Sequence, residues 1–171
     1  VYAPQTLAET TGNAAAFTFV AAGPYHSVGI KADDTMWAWG LNRFGQLCCN
    51  TERSNIAKLV GSGYVTAAAG MGHTLAIKRD GTLWAWGLNY AGQLGDGTRT
   101  DVWIPKLIGS DYSQVATAYD TSFAIKTDGS LWGWGRNING ELGNGTINTY
   151  PNVPLLIGTG FTKVVSGGSH T

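Results

Sequence analysis

The sequence predicts an all-β chain, a β-propeller of four-stranded antiparallel blades, here an incomplete arc of about three to four blades. Three observations lead there. A unit of about 48 residues repeats along the chain. Each unit reads as short apolar runs divided by Gly- and Asp-bearing turns. No stretch shows sustained 3.6-residue amphipathicity with helix caps. Radially stacked sheets with repeats of 40–50 residues are propeller blades.

The repeat is read from four phrases. Met36-Trp37-Ala38-Trp39-Gly40-Leu41-Asn42 returns as Leu83-Trp84-Ala85-Trp86-Gly87-Leu88-Asn89 and as Leu131-Trp132-Gly133-Trp134-Gly135-Arg136-Asn137. A phrase before it carries His26, then His73, then Thr121, and restarts at His170 near the end. A phrase after it reads Gly92-Gln-Leu-Gly-Asp-Gly-Thr98 and Gly140-Glu-Leu-Gly-Asn-Gly-Thr146; its first copy has Cys48-Cys49 in place of the Gly-Asp pair. The unit closes on Ile56-Ala-Lys-Leu-Val-Gly61, Ile104-Pro-Lys-Leu-Ile-Gly109 and Val153-Pro-Leu-Leu-Ile-Gly158. The units fall at approximately 17–63, 64–111 and 112–160, with a truncated unit at 161–171. Residues 1–16, with Pro4-Gln-Thr-Leu7, read as the end of a preceding unit plus a loop. Both ends thus fall inside units, so ring completion by a longer chain or a second copy is expected. Val1 opens the chain without a charged and apolar leader pattern, so a processed or trimmed start is expected.

Within a unit, Asp80-Gly81 and Asp128-Gly129 sit between apolar runs, and Asp-Gly suits a two-residue type I′ hairpin. That loop would set Ile77 opposite Trp84 and Leu75 opposite Trp86, with Ala76 and Ala85 on the other face. The third unit would place Phe123 and Ile125 with Trp132 and Trp134. The first would place Val28 and Ile30 with Trp37 and Trp39, around a weaker Asp33-Asp34 turn. One bulky and one shallow face per sheet suits stacking of copies. Burying a large side chain is worth roughly 1.5–3 kcal/mol, so Trp37, Trp39, Trp84, Trp86, Trp132 and Trp134 are expected in the core.

Composition narrows the function classes. A chain of 171 residues predicts one domain. Lys+Arg and Asp+Glu are both 11, a net charge of zero. That excludes a general nucleic-acid or anionic-membrane surface, which needs basic excess. No apolar run approaches the ~20 residues that span a bilayer. Adjacent Cys48 and Cys49 seldom bridge each other and make no disulfide framework. The compartment stays open on that count, while low charge with abundant Thr and Gly suits a secreted or cell-surface setting over a cytoplasmic one.

The pattern G-x-x-H-[ST]-x-[AG]-I-K, then D-G, then W-x-W-G-x-N-x-x-G-[QE]-L-G-x-G-T resembles the repeat of the regulator of chromosome condensation family, most of all its compact bacterial form. The resemblance runs from about Phe17 to Thr171. It implies a seven-bladed propeller with four-stranded blades, and members that act by presenting loops to protein partners. Thr121 for His, Ala57 for Pro and the Cys48-Cys49 pair depart from the pattern locally. A plant ultraviolet-B photoreceptor shares the family, but the places of its light-absorbing tryptophans hold Pro24, Met71, Tyr119 and Gly168 here.

Candidate sites follow. His26, His73 and His170 recur one blade apart, too far for a zinc ion that needs its ligands within ~2.1 Å; a structural hydrogen bond per blade is expected. Asp34, Asp80 and Asp128 recur in separate turns, so they do not converge as an acid/base pair. Catalytic, cofactor and metal sites are therefore expected to be absent. Positions that vary within the fixed pattern are the candidates for partner binding: Arg43, Phe44, Tyr90, Arg99, Trp103, Ile138 and Tyr150. The expected function is a non-enzymatic protein–protein interaction module presenting variable loops. The alternative is a structural segment of a larger secreted or surface assembly, and last an enzyme with a site in the central channel.

Overall fold

The computed structural model describes residues 15–48 and 51–167. Pro4–Leu7, Cys49 and His170 lie outside the described residues. Twelve strands form three four-stranded antiparallel sheets with no helix among the described residues. The first holds β1 (Phe17–Ala22), β2 (His26–Lys31), β3 (Met36–Leu41) and β4 (Arg53–Gly61). The second holds β5 (Tyr64–Ala69), β6 (His73–Lys78), β7 (Leu83–Gly87) and β8 (Val102–Gly109). The third holds β9 (Tyr112–Ala118), β10 (Thr121–Lys126), β11 (Leu131–Gly135) and β12 (Leu155–Gly158). Each is a meander in chain order, the blade topology. The sheets meet through their first and second strands, β1 and β2 against β5, then β5 and β6 against β9, which puts the fourth strands outermost. The three sheets do not close a ring.

The hairpin register differs by one residue from the expectation. Ile77 pairs with Leu83, Ala76 with Trp84, Leu75 with Ala85 and Thr74 with Trp86. Arg79-Asp80-Gly81 is a three-residue loop: Gly81 N–H donates to Lys78 O (2.9 Å) and Lys78 N–H to Thr82 O (3.0 Å). Gly81 takes φ +80°, the left-handed position that closes such a loop. Asp80 Oδ1 accepts from Thr82 N–H and Oγ1–H, which fixes the extra residue. A one-residue slip re-sorts every side chain by face. Leu75, Ile77, Leu83 and Ala85 therefore share one face, and Thr74, Ala76, Trp84 and Trp86 the other.

The first turn corrects a second expectation. Asp33, not Asp34, is the counterpart of Asp80 and Asp128: it accepts from Thr35 as Asp80 does from Thr82 and Asp128 from Ser130. Asp34 takes the glycine place at φ 61°, and its carboxylate pairs with Arg79 at 2.6 Å. These hydrogen bonds hold the Asp33, Asp80 and Asp128 carboxyls below the usual carboxylate range.

The indoles still nest between units, but against aliphatic faces rather than Ala- and Gly-lined backs. Trp86 and Ala76 pack on Val28, Ile30, Met36, Ala38 and Leu47 of the first unit. Trp134 and Ala124 pack on Leu75, Ile77, Leu83, Ala85 and Leu94 of the second. Trp86 and Trp134 are fully buried. Trp37, Trp39, Trp84 and Trp132 are half-buried. The first Trp of each unit donates its indole N–H to the turn hydroxyl of Thr35, Thr82 or Ser130, and Lys31, Lys78 or Lys126 lies over its ring at 4.4, 4.6 and 5.2 Å.

Candidate functional site

Residues of the repeated phrases form one connected set of hydrogen bonds across each of the two seams. Asn42, Asn89 and Asn137 are buried just past the Trp strand. Each Oδ1 accepts the backbone N–H five residues on: Leu47, Leu94 and Leu142, at 2.7–3.0 Å. The Gln46 and Gln93 side-chain oxygens accept from Phe44 and Ala91 N–H. The turn so shaped aims the Gln46 carbonyl at the next unit, where it accepts from Trp86 Nε1–H (2.9 Å) and Thr74 Oγ1–H (3.0 Å). Gln93 O likewise accepts from Trp134 Nε1–H (2.9 Å) and Ser122 Oγ–H (2.7 Å).

The histidines complete this stitch. His26 Nε2 lies 2.8 Å from Thr74 Oγ1, and His73 Nε2 3.0 Å from Ser122 Oγ. Each hydroxyl has one proton, already donated to a glutamine carbonyl, so Nε2 carries the ring proton and donates. The Nδ1 atoms of His26 and His73 have no partner. A Cβ at Gly70 would stand 2.5 Å from His73 Nδ1, so glycine there admits the ring. The third unit has Ala118 at that place, with Thr121 instead of histidine.

Two clusters gather the variable positions at the end of the sheets that carries the β3–β4, β7–β8 and β11–β12 connections. At the first seam Trp103 lies across Gly45, where a Cβ would meet its Cα and Cδ2 at 2.8 Å. Arg43 stands beside Phe44, and a hollow of about 780 Å³ opens between Arg43, Arg53 and Trp103. Asn152 takes the corresponding place over Gly92 at the second seam, so Trp103 has a positional counterpart there. In that second cluster Arg99 donates to Tyr150 O (2.7 Å) and Tyr90 O (3.3 Å). Ile138, half-buried in the third unit, joins neither cluster. Among the described residues, no three His, Cys, Asp or Glu side chains gather as a metal would need.

Models of the regulator of chromosome condensation (RCC1) repeat match residues 33–77, 80–125 and 128–171, and a second such model matches 17–46, 64–93 and 112–141. The chain belongs to the RCC1 repeat family. No protein with a curated description matches it. Among solved structures, human WBSCR16 is 27% identical over 87% of this chain and 42% of its own, with a TM-score of 0.74. Prp20p of Saccharomyces cerevisiae, described with its binding properties to Gsp1p and histones, is 22% identical over 84% of this chain and 38% of its own, at a TM-score of 0.74. The yeast protein bound to Kap60 gives 23% identity, 84% and 37% coverage, and 0.76. This RCC1-repeat chain thus spans about two fifths of the length of these structures.

The third RCC1 repeat holds a polar cluster that sequence reasoning missed. Asp120 replaces Gly72, Arg136 replaces Leu88, and Glu141 replaces Gln93. Asp120 is buried and accepts from Tyr90 Oη–H (2.6 Å) and Gln93 Nε2–H (3.1 Å). Burial pushes its carboxyl up, opposed by the Tyr90 hydrogen bond and the Arg136 charge. Arg136 also faces Glu141 at 3.9 Å. The signal is three charged residues in one unit at places where the second unit has Gly72, Leu88 and Gln93. At the first seam Gly72 has no side-chain acceptor and Gln46 Nε2 has no partner. Phe44 fills the space instead, since a Cβ at Gly72 would stand 3.0 Å from its ring.

The buried RCC1 histidines set a pH dependence. Burial lowers His73 to about 3, with a smaller push from His26, and lowers His26 to about 4. Unfolded histidine titrates near 6.5. Between these values the unfolded chain binds more protons than the folded one, so stability rises with pH there. The histidine contribution is complete above about 6.5 and is lost progressively as pH falls toward 3. Urea midpoints are expected to drop between pH 7.5 and pH 5, with a smaller drop in His26→Gln.

Proposed function

We propose that this chain is a non-enzymatic protein-interaction module that presents variable loops on a propeller scaffold. One observation carries the reading: the conserved-in-copy side chains make the same seam bonds at both seams, whereas the copy-specific Arg43, Phe44, Trp103, Tyr90, Arg99 and Tyr150 collect at one end of the sheets. Exposed aromatic and Arg side chains at loop tips are the usual interface anchors. The recurring Asp33, Asp80 and Asp128 carboxylates are engaged in turns. Prp20p, which is described as binding Gsp1p and histones, supports a protein partner of some kind.

Immobilised chain is expected to retain a defined protein, lost in a combined Arg43→Ala and Trp103→Ala variant and kept in Ile56→Ser on the outer strand β4. Both variants are expected to melt within about 4 °C of the parent, as surface changes usually stay within ±0.5 kcal/mol. Retention unchanged by the Arg43 and Trp103 substitutions contradicts the reading.

We further infer that more blades complete the ring, from the same protein or a second copy. Trp86 and Trp134 are fully covered by the preceding sheet, but their counterpart Trp39, with the Phe17 ring 5.9 Å away, stays half-buried. At the other end Phe123, Leu131, Leu142 and Ile157 line an open hollow of about 560 Å³. Light scattering on this chain is expected to give a mass above one copy.

A further inference from the structure

We propose that the hollow at the first seam receives an acidic side chain of a protein partner, held by Arg43 and Arg53, with an adjacent apolar residue resting on Trp103. The proposal rests on the interaction reading above and names the chemistry of the partner at this one place.

The argument starts from register. Gly40 pairs with Ser54 and Gly87 with Val102, so Arg53 and Asp101, each one residue earlier, occupy equivalent positions. In the second unit the Asp101 carboxylate accepts Asn89 N–H at 2.8 Å. In the first, Asn42 N–H donates to the Glu52 backbone carbonyl at 2.7 Å instead, and the side chain at the Asp101 position is a guanidinium. The charge is reversed where the sister unit keeps its own carboxylate. Arg43 stands beside it and Glu52 contributes one negative charge, leaving a local excess of one positive charge.

Arg43 lies by the Phe44 ring, and neither its guanidinium nor that of Arg53 is neutralised by a carboxylate among the described residues. Arg79 pairs with Asp34, Arg136 faces Glu141, and Arg99 donates to two carbonyls. Arg43 and Arg53 have no ion-pair partner among the described residues. A carboxylate meets a guanidinium fork through two parallel hydrogen bonds, which is why arginine suits such recognition. Trp103 is 46% exposed, yet its backbone is fixed by close approach to Gly45, which only a residue without a Cβ permits. A rigid, half-open indole beside two arginines is a preorganised anchor.

The test uses the full chain and a short capped peptide carrying two glutamates between leucines, with a glutamine twin as control. In two-dimensional NMR spectra the glutamate peptide is expected to move the Trp103 indole N–H and the Arg43 and Arg53 Nε–H signals. The glutamine twin is expected to bind at least tenfold more weakly, and added salt to weaken the glutamate peptide alone. Arg53→Asp installs the second unit's residue and is expected to fold and abolish the shifts; Arg53→Gln serves if it does not fold. Equal binding of both peptides, no shift at these signals, or shifts that survive both Arg53 variants overturns the proposal. If a retained protein partner is still lost on the Arg43 and Trp103 substitutions while the peptide leaves the seam unmoved, this proposal fails and the interaction reading stands.

Discussion

Trp134→Ala is expected to destabilise the chain by about 4 kcal/mol, within the 3–5 kcal/mol range of buried Trp or Phe truncations. The indole is fully buried between two sheets and touches the aliphatic face built by Leu75, Ile77, Leu83 and Leu94. Its removal leaves a cavity that two rigid sheets cannot collapse to fill, and strips one of two donors from Gln93 O. Trp132→Ala, at the half-buried partner position under Lys126, is expected to cost roughly half as much or less, since less apolar area leaves water. Urea unfolding of both variants checks the ratio. The melting temperature of Trp134→Ala should fall by about 10 °C or more.

Gly87→Ala is the second large effect, at about 3 kcal/mol or more. Gly87 ends the Trp strand at φ +105°, where a side chain is strained. A Cβ there would stand 2.4 Å from Gly72 O and 2.8 Å from His73 Cα. Both are backbone atoms at the start of the adjacent strand and cannot swing aside, so β6 and β7 must separate. Gly97→Ala isolates the conformational part of this cost. Its φ is +80° but nothing lies nearer than Val153 Cγ1 at 3.9 Å, so roughly 1 kcal/mol is expected. Equal midpoints for the two variants would show that the close backbone approach does not matter.

The repeat made the sheets legible, because its apolar phrases recur with turns between them and became strands, while the Gly92–Thr98 phrase became the loop between β7 and β8. The hairpin register was not legible. Asp80-Gly81 taken as a two-residue loop ignores that Asp80 reaches past Gly81 to Thr82, a side-chain bond that absorbs one further residue into the loop. Face assignments slipped with it, and the apolar partner of each indole changed from small to aliphatic. The variable loop positions could be picked out residue by residue, but which of them meet depends on the fold. Arg99 reaches Tyr150 O across 51 positions, and Trp103 reaches Gly45 across a seam. Asp120 was hidden for another reason. Its role depends on Gln93 and Tyr90 from the preceding unit, and no local motif couples them.

The central claim is that each unit is stitched to the one before it by a Trp indole donating to a buried glutamine carbonyl. Hydrogen exchange of the indole N–H groups, followed by NMR, tests it most directly. Protection of Trp86 and Trp134 Nε1–H close to that of the central strand amides, with Trp103 Nε1–H exchanging at the rate of a free indole, is the predicted result. Trp86 and Trp134 exchanging as fast as Trp103 would contradict the account.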